Sequence, residues 1–148
     1  MTTSHRKRRQ QRGVTLVELL VVIVILGVLG TIIAVNVLPA ADQARTQAAA
    51  TQIDNFSQAL QSYYLDHSTY PDNSQGLEAL VTPPQGLRTA GRYRPGGYLG
   101  GNSVPADPWG NDYVYNYPGE FGQFDILSYG RDGRPGGEGP DADITSWE

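Results

Sequence analysis

The sequence predicts an α+β fold in which one long N-terminal helix packs on a small antiparallel sheet. Residues 19–38 are almost all Leu, Val, Ile, Ala and Gly, about the length that a helix needs to cross a bilayer. Residues 42–67 are rich in Ala and Gln and carry one apolar stripe, which predicts that the helix continues along a globular domain. Two later segments, residues 112–117 and 123–130, alternate their side chains as strands do.

The apolar stripe and the first strand identify the expected core. The stripe has helical spacing and consists of Ile53, Phe56, Leu60, Tyr63 and Tyr64. The first strand places three tyrosines on one face, and we expect them to pack on the helix rather than bind a ligand: Tyr113, Tyr115 and Tyr117. Residues 82–108 contain many Gly and Pro residues and predict a long surface loop, after which Trp109 anchors a turn.

The composition argues against an enzyme. The chain of 148 residues has room for one globular domain of roughly 80 residues beyond the apolar segment. It contains no cysteine, which excludes disulfides and thiolate zinc sites, and its only histidines are His5 and His67. The usual nucleophile and base pairs therefore lack members, and the acidic residues lie in loops without a glycosidase motif.

Charge is divided unevenly along the chain. Residues 1–13 carry a charge of +5 and no acidic residue, whereas the remainder has six arginines, no lysine and all 15 acidic residues, a net charge of −9. An acidic domain of this kind excludes nucleic acid as a partner. The basic cluster directly before an apolar run instead indicates the cytoplasmic flank of a membrane anchor.

Glu18 is the unusual residue of the apolar run, because a carboxylate at the centre of a membrane helix costs on the order of 2.5–3.5 kcal/mol. Cleavage after Gly13 would place the new amino group of Val14 four residues before Glu18, on the same helix face. We expect an amine there, from this chain or a neighbour, to compensate the carboxylate. Two alternatives stay open: an uncleaved anchor, and a secreted soluble binding protein cut near Ala40 and Ala41.

The segment "RGVTLVELLVVIVILGVLGTI" (12–32) resembles the leader and N-terminal helix of type IV pilins and pseudopilins. The resemblance implies that a prepilin peptidase cuts after Gly13 and N-methylates Val14. It also implies that Glu18 attracts the terminal amine of the adjacent subunit during filament assembly. Val14 stands where the family usually has Phe, and the usual proline near Val35 is absent, with Pro39 four residues later.

Three further segments resemble the G-type subunits, the major pseudopilins of type II secretion: "YPDNSQGLEAL" (70–80), "DPWGNDYVY" (107–115) and "GRDGRPGGEGPDADITSW" (130–147). The resemblance implies a type IV pilin-like fold and a homopolymeric filament that pushes folded exoproteins through the outer-membrane secretin. The implied partners are minor pseudopilins, an assembly platform protein and the prepilin peptidase. A surface type IV pilin for adhesion or motility is the alternative within the same family.

The expected organisation follows from the two resemblances. Residues 1–13 form a basic leader, 14–38 a transmembrane and filament-core helix, 39–68 an amphipathic helix, and 69–148 a periplasmic head. Before assembly the protein would cross the inner membrane once with its N-terminus in the cytoplasm. After assembly it would belong to a periplasmic pseudopilus.

The C-terminal segment has the composition of a calcium loop. Four acidic residues lie among glycines, and calcium accepts six to eight oxygens in irregular geometry. A solvated tail has the same composition, so the residues alone leave both interpretations open. The resemblance implies one structural calcium, held by side chains of Asp132 and Asp143 and by backbone carbonyls of Tyr129 and Arg134. Asp141 would replace a second aspartate that the family often has at Ala142.

Overall fold

The computed structural model describes residues 14–148, and of residues 32–39 only the helical backbone. Helix α1 (Leu16–His67) comprises 52 residues. It is followed by short 3-10 turns and by a three-stranded sheet of β1 (Val114–Asn116), β2 (Asp125–Ser128) and β3 (Ile144–Thr145). The predicted combination of a long helix and a small antiparallel sheet is confirmed.

The chain divides into two compact units, Met1–Pro39 and Ala40–Glu148. The predicted leader, residues 1–13, lies outside the described residues. Within residues 14–148, no helix has both the length and the hydropathy that a membrane crossing requires.

The core of the second unit is built on the predicted stripe of α1. Ile53, Phe56, Leu60 and Tyr63 are all at most 2% exposed. Tyr64 was predicted to share this face, but it is 45% exposed and stacks on Tyr70 instead. One residue corresponds to about 100° around a helix, so the layer that covers Tyr63 leaves Tyr64 at its edge.

The sheet has the strand order β1-β2-β3, and both strand pairs are antiparallel. Tyr115 pairs with Ile126 between β1 and β2, and Ser128 pairs with Ile144 between β2 and β3. The first two strands are the predicted ones, although they are shorter than the alternating segments. The third strand was not predicted, because two residues are too few to show alternation.

The three tyrosines in and beside the first strand contact the core: Tyr113 contacts the helix, as predicted, and Tyr115 and Tyr117 contact the segment that follows the helix. The ring of Tyr113 lies edge-on to Phe56, with the ring centroids 5.0 Å apart. The Tyr115 hydroxyl donates a hydrogen bond to the carbonyl oxygen of Pro71 at 2.9 Å. Tyr117 is partly buried against Tyr70. The face of β1 therefore joins the helix to the segment that follows it.

A buried carboxylate closes the turn between β1 and β2. Asp125 is only 3% exposed, and its side-chain carboxylate accepts hydrogen bonds from three successive backbone amides. The donors are the amides of Glu120, Phe121 and Gly122. A side chain at Gly119 would place its Cβ 2.6 Å from Asp125 Oδ1 and 2.7 Å from the Gly122 carbonyl oxygen. The turn therefore requires glycine at this position.

The predicted loop at residues 82–108 contains one short 3-10 turn, Ala90–Arg92, and folds back on the end of α1. His67 is 6% exposed and hydrogen-bonds the hydroxyls of Thr89 and Tyr98 through its two ring nitrogens. The neighbouring Asp66 accepts hydrogen bonds from Arg94 Nε at 2.7 Å and from the Tyr98 hydroxyl at 3.1 Å. Side chains at the helix end thus order a loop that has little regular structure.

Burial lowers the pKa of His67 below its ordinary value of 6.5. The positive charge of Arg92 lowers this pKa further, while the negative charge of Asp66 raises it, and Arg94 forms an ion pair with Asp66. The desolvation effect is the largest of these influences. The folded protein therefore favours neutral His67.

We expect the free energy of unfolding to fall as the pH is lowered through about 6.5, because the unfolded chain then binds a proton that the folded chain resists. Urea denaturation of the purified protein, from about pH 7.5 to about pH 5.5, measures this slope. In His67→Gln, which retains a donor and an acceptor but does not titrate, the slope should be smaller. An equal slope in the variant would contradict the assignment.

Candidate functional site

The first candidate site is the start of α1. The amide and the hydroxyl of Thr15 each donate a hydrogen bond of 3.0 Å to Glu18 Oε2. In return the Glu18 amide donates to the Thr15 hydroxyl at 3.2 Å. This reciprocal arrangement is a capping box, and it explains why the helix begins directly after Thr15.

Sequence reasoning missed the role of Thr15. A Ser or Thr followed three residues later by Glu is the sequence signature of a capping box, and it is present in "TLVE" (15–18). We had expected a terminal amine near Val14 to be the required partner of Glu18. The structure adds an intrahelical partner, so Glu18 stabilises the helix start whether or not an amine also approaches it.

The helix around Glu18 exposes a continuous apolar surface. The large apolar side chains between Val14 and Leu29 are exposed by between 48% (Val21) and 82% (Leu16). An exposed apolar surface of this extent marks a site of contact with lipid or with other proteins. Glu18 is therefore a charged group on a surface that is suited to burial.

The second candidate site is the acidic loop between β2 and β3. Asp132 Oδ1 accepts a hydrogen bond from the Arg134 amide, and Asp143 Oδ2 accepts one from the Gly136 amide, each at 3.0 Å. The other oxygen of Asp143, Oδ1, is buried and has no hydrogen-bond partner among the described residues. A buried carboxylate oxygen without a partner is costly, and a cation would supply what it lacks.

The other predicted ligands occupy different positions in this loop. Both oxygens of Asp141 accept hydrogen bonds from Arg131, from Nε at 2.8 Å and from Nη2 at 3.0 Å. Tyr129 directly follows β2, and Arg134 lies in a turn where its backbone amide donates to the Asp132 carboxylate. In the part of the chain that the structure describes, no three acidic or histidine side chains form a metal-binding group. The predicted set combines the carboxylates of Asp132, Asp143 and Asp141 with backbone carbonyls, which calcium also accepts.

A buried network connects the start of the acidic loop to the turn at residues 107–110. Asp107, 4% exposed, accepts hydrogen bonds from the amides of Trp109 and Asn111 at 3.0 and 2.8 Å and from the Ser128 hydroxyl at 2.6 Å. The Asn111 side chain donates to the Gly130 carbonyl oxygen at 3.0 Å. The predicted turn is present, with the Gly110 amide bonded to the Asp107 carbonyl. The turn is connected to Ser128 at the end of β2 by Asp107 and to Gly130 by Asn111. Sequence reasoning did not single out either residue.

The chain matches two family models and several known proteins. Residues 36–147 match the family described as "Type II secretion system (T2SS), protein G", and residues 8–34 match the prokaryotic N-terminal methylation motif. Type II secretion system core protein G of Vibrio cholerae serotype O1 is 47% identical over 142 residues, covering 96% of this chain and 95% of that protein. The protein of the same name from Pseudomonas aeruginosa is 45% identical over 142 residues, covering 96% and 99%.

A solved structure is also similar. The crystal structure of the major pseudopilin from the type 2 secretion system of enterohaemorrhagic Escherichia coli matches with a TM-score of 0.62 and 37% identity. The match covers 76% of this chain and 94% of that one. It shows that the helix and the small sheet form a pilin-like fold. From the family match and the near full-length relatives, the chain belongs to the protein G family of type II secretion systems.

Proposed function

We propose that this chain is the major structural subunit of a type II secretion pseudopilus, a periplasmic filament that pushes folded exoproteins through the outer-membrane secretin. The single observation that carries the proposal is the similarity to core protein G along nearly the whole chain, at 47% identity over 96% of its length. The family is one of structural subunits and not of enzymes. The same comparison favours the secretion pseudopilus over a surface fibre.

Processing and insertion are part of the proposal. A prepilin peptidase removes residues 1–13 and methylates Val14, which is supported by the methylation motif matched at residues 8–34. Residues 14–38 would cross the inner membrane once, with the basic leader on the cytoplasmic side, and this step rests on their apolar sequence and on the charge before it. An assembly platform protein then transfers subunits into the filament, which minor pseudopilins complete.

The exposed apolar surface of α1 suggests how subunits associate. Helices that leave lipid for a filament core keep an apolar environment, so burial alone gives little preference for assembly. A charge pair between Glu18 and the Val14 amine of a neighbouring subunit would supply that preference, because its strength increases in a low-dielectric surrounding. The capping box holds Glu18 in place before the partner arrives.

The intact mass of the membrane-extracted protein tests the processing step. In cells that contain the prepilin peptidase, we expect a chain that begins at Val14 and carries one additional methyl group. Cells without the peptidase serve as the control and should yield the full chain. A mature chain that begins near Ala40 or Asp42 would overturn the filament pathway.

We expect Glu18→Gln to leave processing intact but to reduce filament yield more than tenfold, because loss of one partner of a buried charge pair costs about 3–5 kcal/mol. Gln retains the capping box, since either Glu or Gln can occupy this position. Sedimentation and immunoblotting of sheared filaments measure the yield.

Thr15→Ala is the matched control, because it removes the cap but retains the charge at a cost of about 1 kcal/mol. Normal filaments from Glu18→Gln would contradict the charge-pair mechanism. A defect in Thr15→Ala as large as that in Glu18→Gln would contradict the charge-pair mechanism too, because Thr15→Ala retains the charge.

The acidic loop is proposed to hold one structural calcium through Asp132 and Asp143, with carbonyl oxygens of Tyr129 and Arg134. The buried, unpartnered Oδ1 of Asp143 supports this assignment. Bound calcium would connect the C-terminal segment to the loop in a chain that has no disulfide. Asp132 and Asp143 would contribute carboxylate oxygens, and the glycines allow the backbone to turn its carbonyls inward.

Calcium should raise the melting temperature of the wild-type protein, with about 2.7 kcal/mol of stabilisation when the free ion is at 100 times its Kd. Asp132→Ala and Asp143→Ala should abolish this shift, as measured by thermal unfolding in calcium and in chelator. Glu138→Gln, a substitution of an acidic residue in the same loop outside the proposed ligand set, should retain it. The same melting shift in the two Ala variants as in the wild type would rule out these ligands.

A further inference from the structure

Arg131 lies at the neck of the acidic loop, which we define as residues 130–131 and 140–142, where the two ends of the loop meet. Its guanidinium forms two parallel hydrogen bonds to Asp141, at 2.8 and 3.0 Å. A two-bond pair of this kind holds both partners in one relative orientation, which a single ion pair does not. The pair joins positions ten residues apart along the chain.

The backbone is closed at the same place. The Arg131 amide donates to the Pro140 carbonyl oxygen at 3.0 Å. A Cβ atom at Gly130 would lie 2.7 Å from the carbonyl oxygen of Ala142, and one at Gly137 would lie 2.3 Å from that of Asp141. The neck is therefore packed backbone to backbone, and the arginine pair lies beside it.

The closed neck lies directly beside the two residues that are proposed to bind calcium. Asp132 directly follows Arg131, and Asp143 lies two residues after Asp141. Each already accepts an amide hydrogen bond from within the loop. A loop that is ordered before the ion arrives loses less conformational entropy on binding, so a pair that closes the neck strengthens binding.

Arg131 also contacts helix α1. Its Nη1 lies 3.4 Å from Asp42 Oδ2, and Asp42 lies 3.6 Å from Arg45. Both contacts lie within the unit Ala40–Glu148. The arginine thus connects the neck with the first turns of the helix in that unit.

We infer that Arg131 is a positioning residue for the calcium loop, and that Asp141 serves as the partner of Arg131 rather than as a calcium ligand. The inference rests on the calcium site of the proposed function. It replaces the expectation that Asp141 substitutes for the family's second aspartate. In this arrangement two carboxylates, Asp132 and Asp143, bind the ion, and Asp141 keeps the ends of their loop together.

The test is calcium titration of the detergent-solubilised mature protein by calorimetry, with melting in chelator as a second measurement. Arg131→Lys keeps the charge but loses the two-pronged geometry, and we expect it to weaken calcium binding roughly tenfold, as changes beside metal ligands do. The melting temperature of Arg131→Lys in chelator should be close to that of the wild type, because exposed ion pairs contribute little to stability. Arg88→Lys, the same substitution at an arginine outside the acidic loop, is the matched control and should bind calcium like the wild type.

Asp141→Asn tests the same ion pair by removing the charge of the carboxylate partner. If Asp141 only holds Arg131, this variant should lose roughly as much affinity as Arg131→Lys, and the double variant should lose no more than either single variant. A much larger loss in Asp141→Asn, with additive effects in the double variant, would make Asp141 a ligand and overturn the inference.

Two further outcomes separate the inference from the calcium site itself. Wild-type affinity in Arg131→Lys would overturn the positioning role and leave the calcium site standing. A wild-type protein that binds no calcium would overturn both. If Arg131→Lys lost as much free energy of unfolding in chelator as it lost free energy of calcium binding, Arg131 would act only in general folding. That outcome also contradicts the inference.

Discussion

The burial of one stripe of α1 is the interaction on which the rest of the second unit depends. The three strands contain three, four and two residues, and a sheet of that size is not stable in water without a partner. The helix supplies the partner through Ile53, Phe56, Leu60 and Tyr63, which are almost completely buried. Each such side chain contributes about 1.5–3 kcal/mol by its removal from water. The loops and the short strands are thus held against the buried face of a long helix.

Buried carboxylates then order what the small sheet leaves irregular. Asp125 binds three amides in the turn between β1 and β2, and Asp107 binds two amides and the hydroxyl of Ser128. A charged acceptor forms stronger hydrogen bonds than a neutral one, so a single aspartate can fix several backbone positions. In a chain without cysteine, these side chains perform part of the cross-linking that disulfides provide in other small domains.

The sequence predicted those features that depend on periodicity. The helix stripe and two strands have spacings that elementary geometry recognises, and the leader, Glu18 and the C-terminal acids carried the family resemblance. Features that depend on contacts between distant residues were missed. The pairing of Arg131 with Asp141 is decided by how the neck closes, and β3 is recognisable only through its pairing with β2. The role of Thr15 was a different kind of omission, because its capping signature was present in the sequence.

The distribution of charge connects the acidic loop with polymerisation. Residues 14–148 carry a net charge of −9, and in the proposed filament identical subunits would repel one another where such charges meet within the screening length of about 8 Å. Residues 130–143 contain four acidic residues and two arginines, a net charge of −2, which one calcium ion would neutralise. The structure already pairs one arginine with Asp141 and Asp42. A bound ion would therefore remove the remaining excess charge of the loop as well as ordering its backbone, and both effects favour close packing of identical chains.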